Sequence, residues 1–224
     1  MSKFDTSGAQ IQGARMRQED AWNIERFAAD EVLAIVADGL GGHPAGDIAS
    51  SEAVREISRL FGEGRRSSEA EPRDWLKVAL MGADQALHAM QRRNPELHGM
   101  ATTVVALYAR GHEFWAASVG DSYLLLYRQG KLMVLNELHA EGGGVTSCVG
   151  FNLSRLDLAD RLLVEKGDRF LLASDGIAAL DSEEISALLA NAADAPGATR
   201  DVLSAIEDAA LPHQDNATVV AMFA

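Results

Sequence analysis

The sequence predicts an α+β sandwich in which amphipathic helices cover antiparallel sheets. Turns at Gly111-His112, Gln129-Gly130 and residues 166–168 each separate two apolar segments, a pattern typical of β-hairpins. Elsewhere, apolar residues recur every three or four positions, the spacing of helices that bury one face. Consecutive hairpins favour antiparallel sheets, and the helices must then cover those sheets.

The first part of the chain is predicted to form two strands and two helices. Segments 21–25 and 31–37 are the opening strands, and the second is a continuous apolar run typical of a buried strand. The first helix carries an apolar stripe between Ile48 and Leu60, and the second begins at Pro72. Residues 62–72 lie between these helical patterns and are predicted to form a surface loop.

The remainder is predicted to contain three hairpins, two shorter helices and a final strand. The paired strands are 101–110 with Glu113–Val119, Tyr123–Arg128 with 131–135, and 161–165 with Arg169–Ala173. The helices and the last strand are 183–192, 200–209 and Ala217–Phe223. No segment is a convincing linker, so we expect residues 1–224 to form a single domain.

Composition excludes several classes of function. The 224 residues carry 20 basic and 33 acidic side chains, and the net charge of −13 disfavours binding to nucleic acid or anionic membranes. The single cysteine, Cys148, excludes an internal disulfide and a multi-cysteine zinc site. The N-terminus has no signal-peptide pattern and the apolar runs are too short to span a membrane, so a cytoplasmic location is expected.

Acidic residues mark five ends of predicted strands. These positions are Asp38, Asp121, Asp175, Asp215 and the pair Glu19-Asp20. Any one of them fits an ordinary turn, particularly Asp38 and Asp175, which each precede a glycine. Converging carboxylates would repel one another unless cations neutralised them, and an oxygen-only ligand set suits Mg²⁺ or Mn²⁺. Five together, with no Lys or Arg directly beside Asp38, Asp121 or Asp175, favour a metal site.

Six short motifs, in order along almost the whole chain, resemble those of the metal-dependent Ser/Thr protein phosphatases of type 2C in their bacterial form. They are Gly13-Ala14-Arg15-Met16-Arg17-Gln18-Glu19-Asp20, Val36-Ala37-Asp38-Gly39-Leu40-Gly41-Gly42-His43, Gly99-Met100-Ala101-Thr102-Thr103, Val119-Gly120-Asp121-Ser122, Ala173-Ser174-Asp175-Gly176 and Asp215-Asn216-Ala217-Thr218. The resemblance implies two central antiparallel sheets sandwiched by helices, in four αββα layers. It also implies hydrolysis of phosphoserine and phosphothreonine by a water activated between two Mn²⁺ or Mg²⁺ ions.

The resemblance also implies a set of metal ligands. Asp38 matches the carboxylate that bridges both metals, and the Gly39 carbonyl matches a ligand of the second metal. Asp175 and Asp215 match ligands of the first metal. Two further matches, Glu19 and Asp20, correspond to acids that hold metal-bound waters.

Three other positions carry expectations from the resemblance. Arg15 matches the arginine that binds the substrate phosphate, and Asp121 matches a ligand of a weaker third metal. Animal members have a general-acid His directly after the first Asp-Gly, where this chain has Leu40. The nearest histidine, His43, is the candidate proton donor, with a structural or substrate-facing role as the alternative.

The chain departs from the family pattern in two other places. A flap of some tens of residues is replaced by the short segment 136–150, which contains three consecutive glycines. A short mobile loop is expected there, leaving an open rim that tolerates varied peptide sequences. Tyr123 also stands where the family often has Arg after Gly-Asp-Ser.

The predicted partners are phosphorylated proteins, the targets of a Ser/Thr kinase, and a monomer is expected. Two alternative functions stay open at the level of sequence. One is a catalytically weak sensor or binding module on the same fold, which the retention of all core acids disfavours. The other is a two-metal hydrolase of small phosphomonoesters, since Arg15 reads only the phosphate.

Overall fold

The computed structural model describes residues 4–40, 45–67 and 70–224. In these ranges the strands are β1 (Asp5–Ile11), β2 (Asp20–Ala28), β3 (Glu31–Asp38), β4 (Val104–Arg110), β5 (Glu113–Val119), β6 (Tyr123–Arg128), β7 (Lys131–Val134), β8 (Ala140–Glu141), β9 (Gly144–Val145), β10 (Asp157–Leu163), β11 (Arg169–Ala173) and β12 (Ala217–Phe223). The helices are α1 (Gly46–Ser67), α2 (Pro72–Arg93), α3 (Ser182–Asn191) and α4 (Ala195–Asp208), with 3-10 turns at Pro95–Leu97 and Asp175–Ala179.

Two five-stranded antiparallel sheets form the centre of the molecule. The first sheet has the order β1-β12-β11-β6-β7 and the second has the order β10-β5-β4-β3-β2, while β8 and β9 form a separate small hairpin. The sheets pack face to face through an apolar core that includes Leu107, Phe114, Phe170 and Met222. Helices α1 and α2 cover the second sheet, and α3 and α4 cover the first. The four-layer αββα fold is therefore confirmed.

Strand β3 shows why a central strand has a continuous apolar sequence. Val32, Ala34 and Val36 point into the core between the sheets. Leu33 and Ile35 point the other way and pack under α1 and α2. Because successive side chains alternate between two covered faces, every position of the strand interior is buried.

The third predicted hairpin is wrong. Strand β10 pairs with β5 in the second sheet, whereas β11 pairs with β6 and β12 in the first. The turn 166–168 therefore connects the two sheets. It is held by the Arg128 guanidinium, whose Nε and Nη2 donate to the Asp168 carboxylate at 2.7 and 2.6 Å.

Several boundaries also differ from those predicted. Helix α1 continues to Ser67, well into the predicted loop 62–72, and α4 begins at Ala195, five residues before its predicted start. Strand β1 was not predicted at all, because its sequence DTSGAQI has few β-branched or aromatic residues. It forms by pairing along its whole length with the apolar strand β12.

Candidate metal centre

The strand registers bring the predicted acids to one rim of the sandwich. Asp20 lies directly opposite Asp38 in the β2–β3 ladder of the second sheet. In the first sheet, Ala173 of β11 lies opposite Tyr123 of β6 and Val219 of β12, so the ends of these strands lie side by side. Asp175 and Asp121 are each two residues beyond the ladder, and Asp215 just precedes β12. Both sheets therefore contribute carboxylates to the same edge.

These residues surround an open cleft of about 440 Å³. Its lining consists of Arg15, Glu19, Asp38, Gly39, Leu40, Asp121, Gly143, Gly144, Val145, Asp175, Asp215 and Asn216. Seven of the predicted site residues are among them, namely Arg15, Glu19, Asp38, Gly39, Asp121, Asp175 and Asp215. Asp20 is buried beside the cleft, and His43 lies outside the described residues.

Asp38 carries the strongest electrostatic conflict of the site. Burial, followed by the negative charges of Asp20, Asp175, Asp121 and Asp215, raises the pKa of the Asp38 carboxyl well above its usual value. Burial and the Asp215 and Asp121 charges raise the pKa of Asp175 to about 6. A bound cation would reverse both effects, because an adjacent positive charge favours the ionised carboxylate.

Asp20 provides a test of whether a cation fits here. Its Oδ2 accepts hydrogen bonds from the hydroxyls of Ser174 at 2.8 Å and Thr218 at 2.7 Å. Its Oδ1 is buried and has no hydrogen-bond partner among the described residues. A buried, unpartnered carboxylate oxygen is costly unless a donor or a metal satisfies it. The residues therefore fit Mg²⁺ or Mn²⁺.

The ligand set is incomplete without solvent and backbone oxygens. Within the described ranges, no three acidic, histidine or cysteine side chains are grouped closely enough to hold one ion by themselves. A bound ion would therefore draw these carboxylates closer together, and waters would complete its coordination.

Gly39 is fixed in a place where no other residue fits. Its N–H donates to the Glu19 carbonyl at 3.1 Å. A Cβ at this position would lie 2.3 Å from the Gly46 carbonyl oxygen, which is backbone and cannot swing away. The glycine thus allows the start of α1 to approach the end of β3.

Two threonines hold the Asp38 backbone, a role that sequence analysis missed. The Thr102 hydroxyl donates to the Asp38 carbonyl at 2.8 Å, and the Thr103 hydroxyl accepts from the Asp38 N–H at 3.1 Å. The Thr103 and Ser122 hydroxyls are 2.7 Å apart, which links the end of β3 to the turn that carries Asp121. Thr103 and Ser122 both belong to recognised motifs, but the spacing of the motifs gives no indication that the two side chains are in contact.

Arg15 reaches into the cleft from the loop that follows β1. Its guanidinium forms an ion pair with the Asp215 carboxylate. Asn216 clamps this loop, because its Nδ2 donates to the carbonyls of Gln12 at 2.8 Å and Arg17 at 3.0 Å. Its Oδ1 accepts from the Glu19 N–H at 2.8 Å. Asn216 is therefore a further positioning residue. Its presence in a sequence motif did not reveal this role.

The shortened flap is a hairpin rather than an irregular loop. Strands β8 and β9 are joined by Gly142 and Gly143, whose φ angles of 60° and 83° are readily adopted by glycine in a tight turn. The hairpin places Gly143, Gly144 and Val145 against the cleft. At its base, the buried His139 exchanges hydrogen bonds with Gly120, one residue before Asp121.

Known proteins share both the sequence pattern and the fold. The family model for protein phosphatase 2C matches residues 7–214. The serine/threonine phosphatase stp of Listeria welshimeri is 29% identical over 197 residues, covering 79% of this chain and 77% of that protein. The serine/threonine phosphatase of S. agalactiae is 26% identical with a TM-score of 0.87, and the match covers 98% of this chain and 99% of that one.

A metal-containing structure also has this fold. The catalytic domain of the phosphatase PstP, solved in complex with two manganese ions, is 23% identical with a TM-score of 0.84. The match covers 99% of this chain and 98% of that one. At this identity the likeness concerns the fold.

The acid-lined cleft at the rim of this αββα sandwich, together with the matching family, identifies a metal-dependent hydrolase. The chain belongs to the protein phosphatase 2C family, whose model matches nearly its whole length. The family predicted from the sequence motifs is confirmed.

The raised carboxyl pKa values predict how stability depends on pH when metal is removed. An acid whose pKa is higher in the folded than in the unfolded chain makes the fold less stable as pH rises through that interval. In chelator, we expect Asp38→Asn to raise the melting temperature at about pH 8 and to have a smaller effect at about pH 5, where the wild-type site is partly protonated.

The control for this measurement is Asp208→Asn, which removes an exposed acid at the end of α4 and changes the net charge by the same amount as Asp38→Asn. It should leave the pH dependence of the melting temperature unchanged. If the melting temperature of Asp38→Asn depended on pH as that of the wild type does, the repulsion assigned to Asp38 would be contradicted.

Proposed function

We propose that this protein is a serine/threonine protein phosphatase that hydrolyses phosphoserine and phosphothreonine at two Mn²⁺ or Mg²⁺ ions. The observation that carries the proposal is the crowding of four acids around Asp38, beside an arginine suited to phosphate. The family and the names of its relatives support the same activity. PstP contains two manganese ions on this fold, in support of a binuclear centre.

The resemblance to the family assigns the residues that would hold the metals, and each of the four ligands named next lines the cleft. Asp38 would lie between the two ions, with the Gly39 carbonyl toward the second and Asp175 and Asp215 toward the first. When bound, the two ions lower the pKa of a shared water and direct it at phosphorus. Glu19 and Asp20 would orient the surrounding solvent, and the hydroxyls of Ser174 and Thr218 fix Asp20 for this role.

Arg15 is the proposed phosphate-binding residue. Its planar guanidinium offers parallel N–H donors to phosphate oxygens. The partner it contacts, Asp215, is also a proposed metal ligand. A metal that takes over the charge of Asp215 would free the guanidinium for the substrate, so the two functions of this corner support each other.

Several narrower expectations are part of the same proposal. The substrates are phosphoproteins, and we propose that a Ser/Thr kinase produces them. We further propose a monomeric, cytoplasmic protein of one domain, residues 1–224, that binds no nucleic acid, and the net charge of −13 supports the last point. Every helix in the described ranges is too short or too polar to cross a membrane.

The proposed function is tested by replacing the central ligand. Asp38→Asn removes the charge shared by both ions, so Mn²⁺-dependent release of phosphate from a phosphothreonine peptide should fall below about one per cent of wild type. Asp208→Asn is the matched control and should retain full activity. Hydrolysis of small aryl phosphates without any hydrolysis of phosphopeptides would favour the phosphomonoester alternative. Full wild-type activity in chelator would refute the metal centre.

Arg15→Ala tests phosphate binding. A charge-assisted bidentate contact contributes enough that KM for a phosphopeptide, and the inhibition constant of free phosphate, should rise about 10- to 100-fold. Metal affinity should change much less, since the variant only frees Asp215. Arg17→Ala, an exposed neighbour outside the cleft lining, serves as the control. Unchanged KM and phosphate inhibition would show that Arg15 has another role.

Asp121→Ala tests the third metal, for which we propose Asp121 and Asp175 as ligands. The variant should keep two bound Mn²⁺ ions and lose kcat, because Asp121 lines the cleft but has no place in the two-metal set. Metal stoichiometry and kcat are measured together with the melting temperature. A normal kcat with a lowered melting temperature would indicate that Asp121 only stabilises the turn before Ser122.

A further inference from the structure

A second cavity begins directly beside the metal centre. It is a groove of about 320 Å³ between β6 and β7 on one side and the 3-10 turn Asp175–Ala179 with the start of α3 on the other. Tyr123 and Ile177 line it, and each is two residues beyond a carboxylate of the cleft, Asp121 or Asp175. The same two carboxylates, after burial, raise the pKa of the Tyr123 phenol, in keeping with this proximity.

The groove has a mainly apolar lining, in which Leu125, Ile177, Leu180 and Ile185 are buried core residues and Val134 is exposed. Leu125, Leu180 and Ile185 line it together with Val134, whose side chain stays 55% exposed on the outer strand β7. The one carboxylate among the described lining residues, Asp181, accepts hydrogen bonds from the N–H groups of Glu183 and Glu184 at the start of α3. That charge is therefore committed to capping the helix.

We propose that this groove binds an apolar side chain of the phosphoprotein substrate, two or three residues away from the phosphorylated residue. The inference rests on the proposed phosphatase function. Tyr123 and Ile177 bring the groove to within two residues of two acids of the cleft, and two or three residues of an extended chain span about 7–11 Å. Its volume lies at the lower end of the range of ligand pockets, about 300–1,000 Å³, so it suits one or two side chains.

The groove would make the protein less tolerant of varied peptide sequences than the short flap alone predicts. The flap residues Gly143 and Gly144 offer no side chains to a peptide, so this side of the rim discriminates little. On the other side, Tyr123 and Leu132 are half-buried and Val134 is exposed, and all three line the groove. Burial of one substrate side chain there would stabilise the bound peptide in the ground state and in the transition state alike. Its effect should therefore appear in KM rather than in kcat.

The test compares phosphothreonine peptides that differ at one position. Leu or Ser occupies the second or third residue on either side of the phosphothreonine, and kcat and KM are measured with Mn²⁺. We expect one Leu peptide to have kcat/KM about tenfold above its Ser counterpart, through a lower KM. Equal kcat/KM for all peptides would overturn the groove while leaving the phosphatase function intact. The absence of hydrolysis of every phosphopeptide would instead refute the proposed function.

A matched pair of variants locates the preference. Val134→Asn places a neutral polar group in the groove without adding charge near the acidic cleft, and should reduce the Leu preference about threefold. Val78→Asn alters a valine of similar exposure on α2, outside the groove, and should leave the preference unchanged. Both variants should hydrolyse a small aryl phosphate as the wild type does, and thermal melting verifies that they fold. An unchanged Leu preference in Val134→Asn, or a change in its sedimentation that reveals a self-association surface, would overturn the proposal.

Discussion

The feature on which the site depends is mutual repulsion among carboxylates that the fold holds together at one poorly solvated rim. Burial and the charges of Asp20, Asp175, Asp121 and Asp215 all oppose the ionisation of Asp38. The sandwich can hold this arrangement because three apolar cores, one between the sheets and one under each pair of helices, stabilise the strands independently of their ends. Affinity for divalent cations is thus built into the strand ends by the packing of the two sheets.

The polar groups around these acids fix the positions of the carboxylates but do not neutralise their negative charge. Hydroxyls of Ser174 and Thr218 satisfy one oxygen of Asp20 and leave the other unpartnered. The Thr103 hydroxyl accepts a hydrogen bond from the backbone N–H of Asp38 and does not engage its carboxylate, so the negative charge remains available to a ligand. Among the cleft acids that the structure describes, Asp215 alone forms an ion pair, with Arg15, on a loop that Asn216 fixes in place. The acids therefore lie in strands or within two residues of one, and the loop after β1 carries the arginine.

The sequence predicted the strand ends better than it predicted the partners of the strands. The acids could be located because an apolar run that ends in Asp-Gly is visible without any knowledge of pairing. The pairing of β10 with β5, and of β11 with β12, could not, since local periodicity is the same whether consecutive strands share a sheet or lie in two. Strand β1 was missed because its pairing with β12, rather than its own residues, makes it a strand. The links through Thr103 and Asn216 join segments far apart in the chain, and spacing within a motif gives no information about them.

The groove beside the metal centre extends this argument from catalysis to recognition. The turn after Asp121 leads directly into β6, and the turn after Asp175 leads into α3, so the segments that bring ligands to the rim continue as the two walls of the groove. Tyr123 and Ile177 are consequently fixed relative to the acids by two peptide units each, a distance that side-chain motion cannot change. A substrate side chain in the groove would be held at a set number of residues from the reacting phosphate. Because such a contact would stabilise the bound peptide and the transition state equally, the groove would contribute to the choice of substrate rather than to the chemical step.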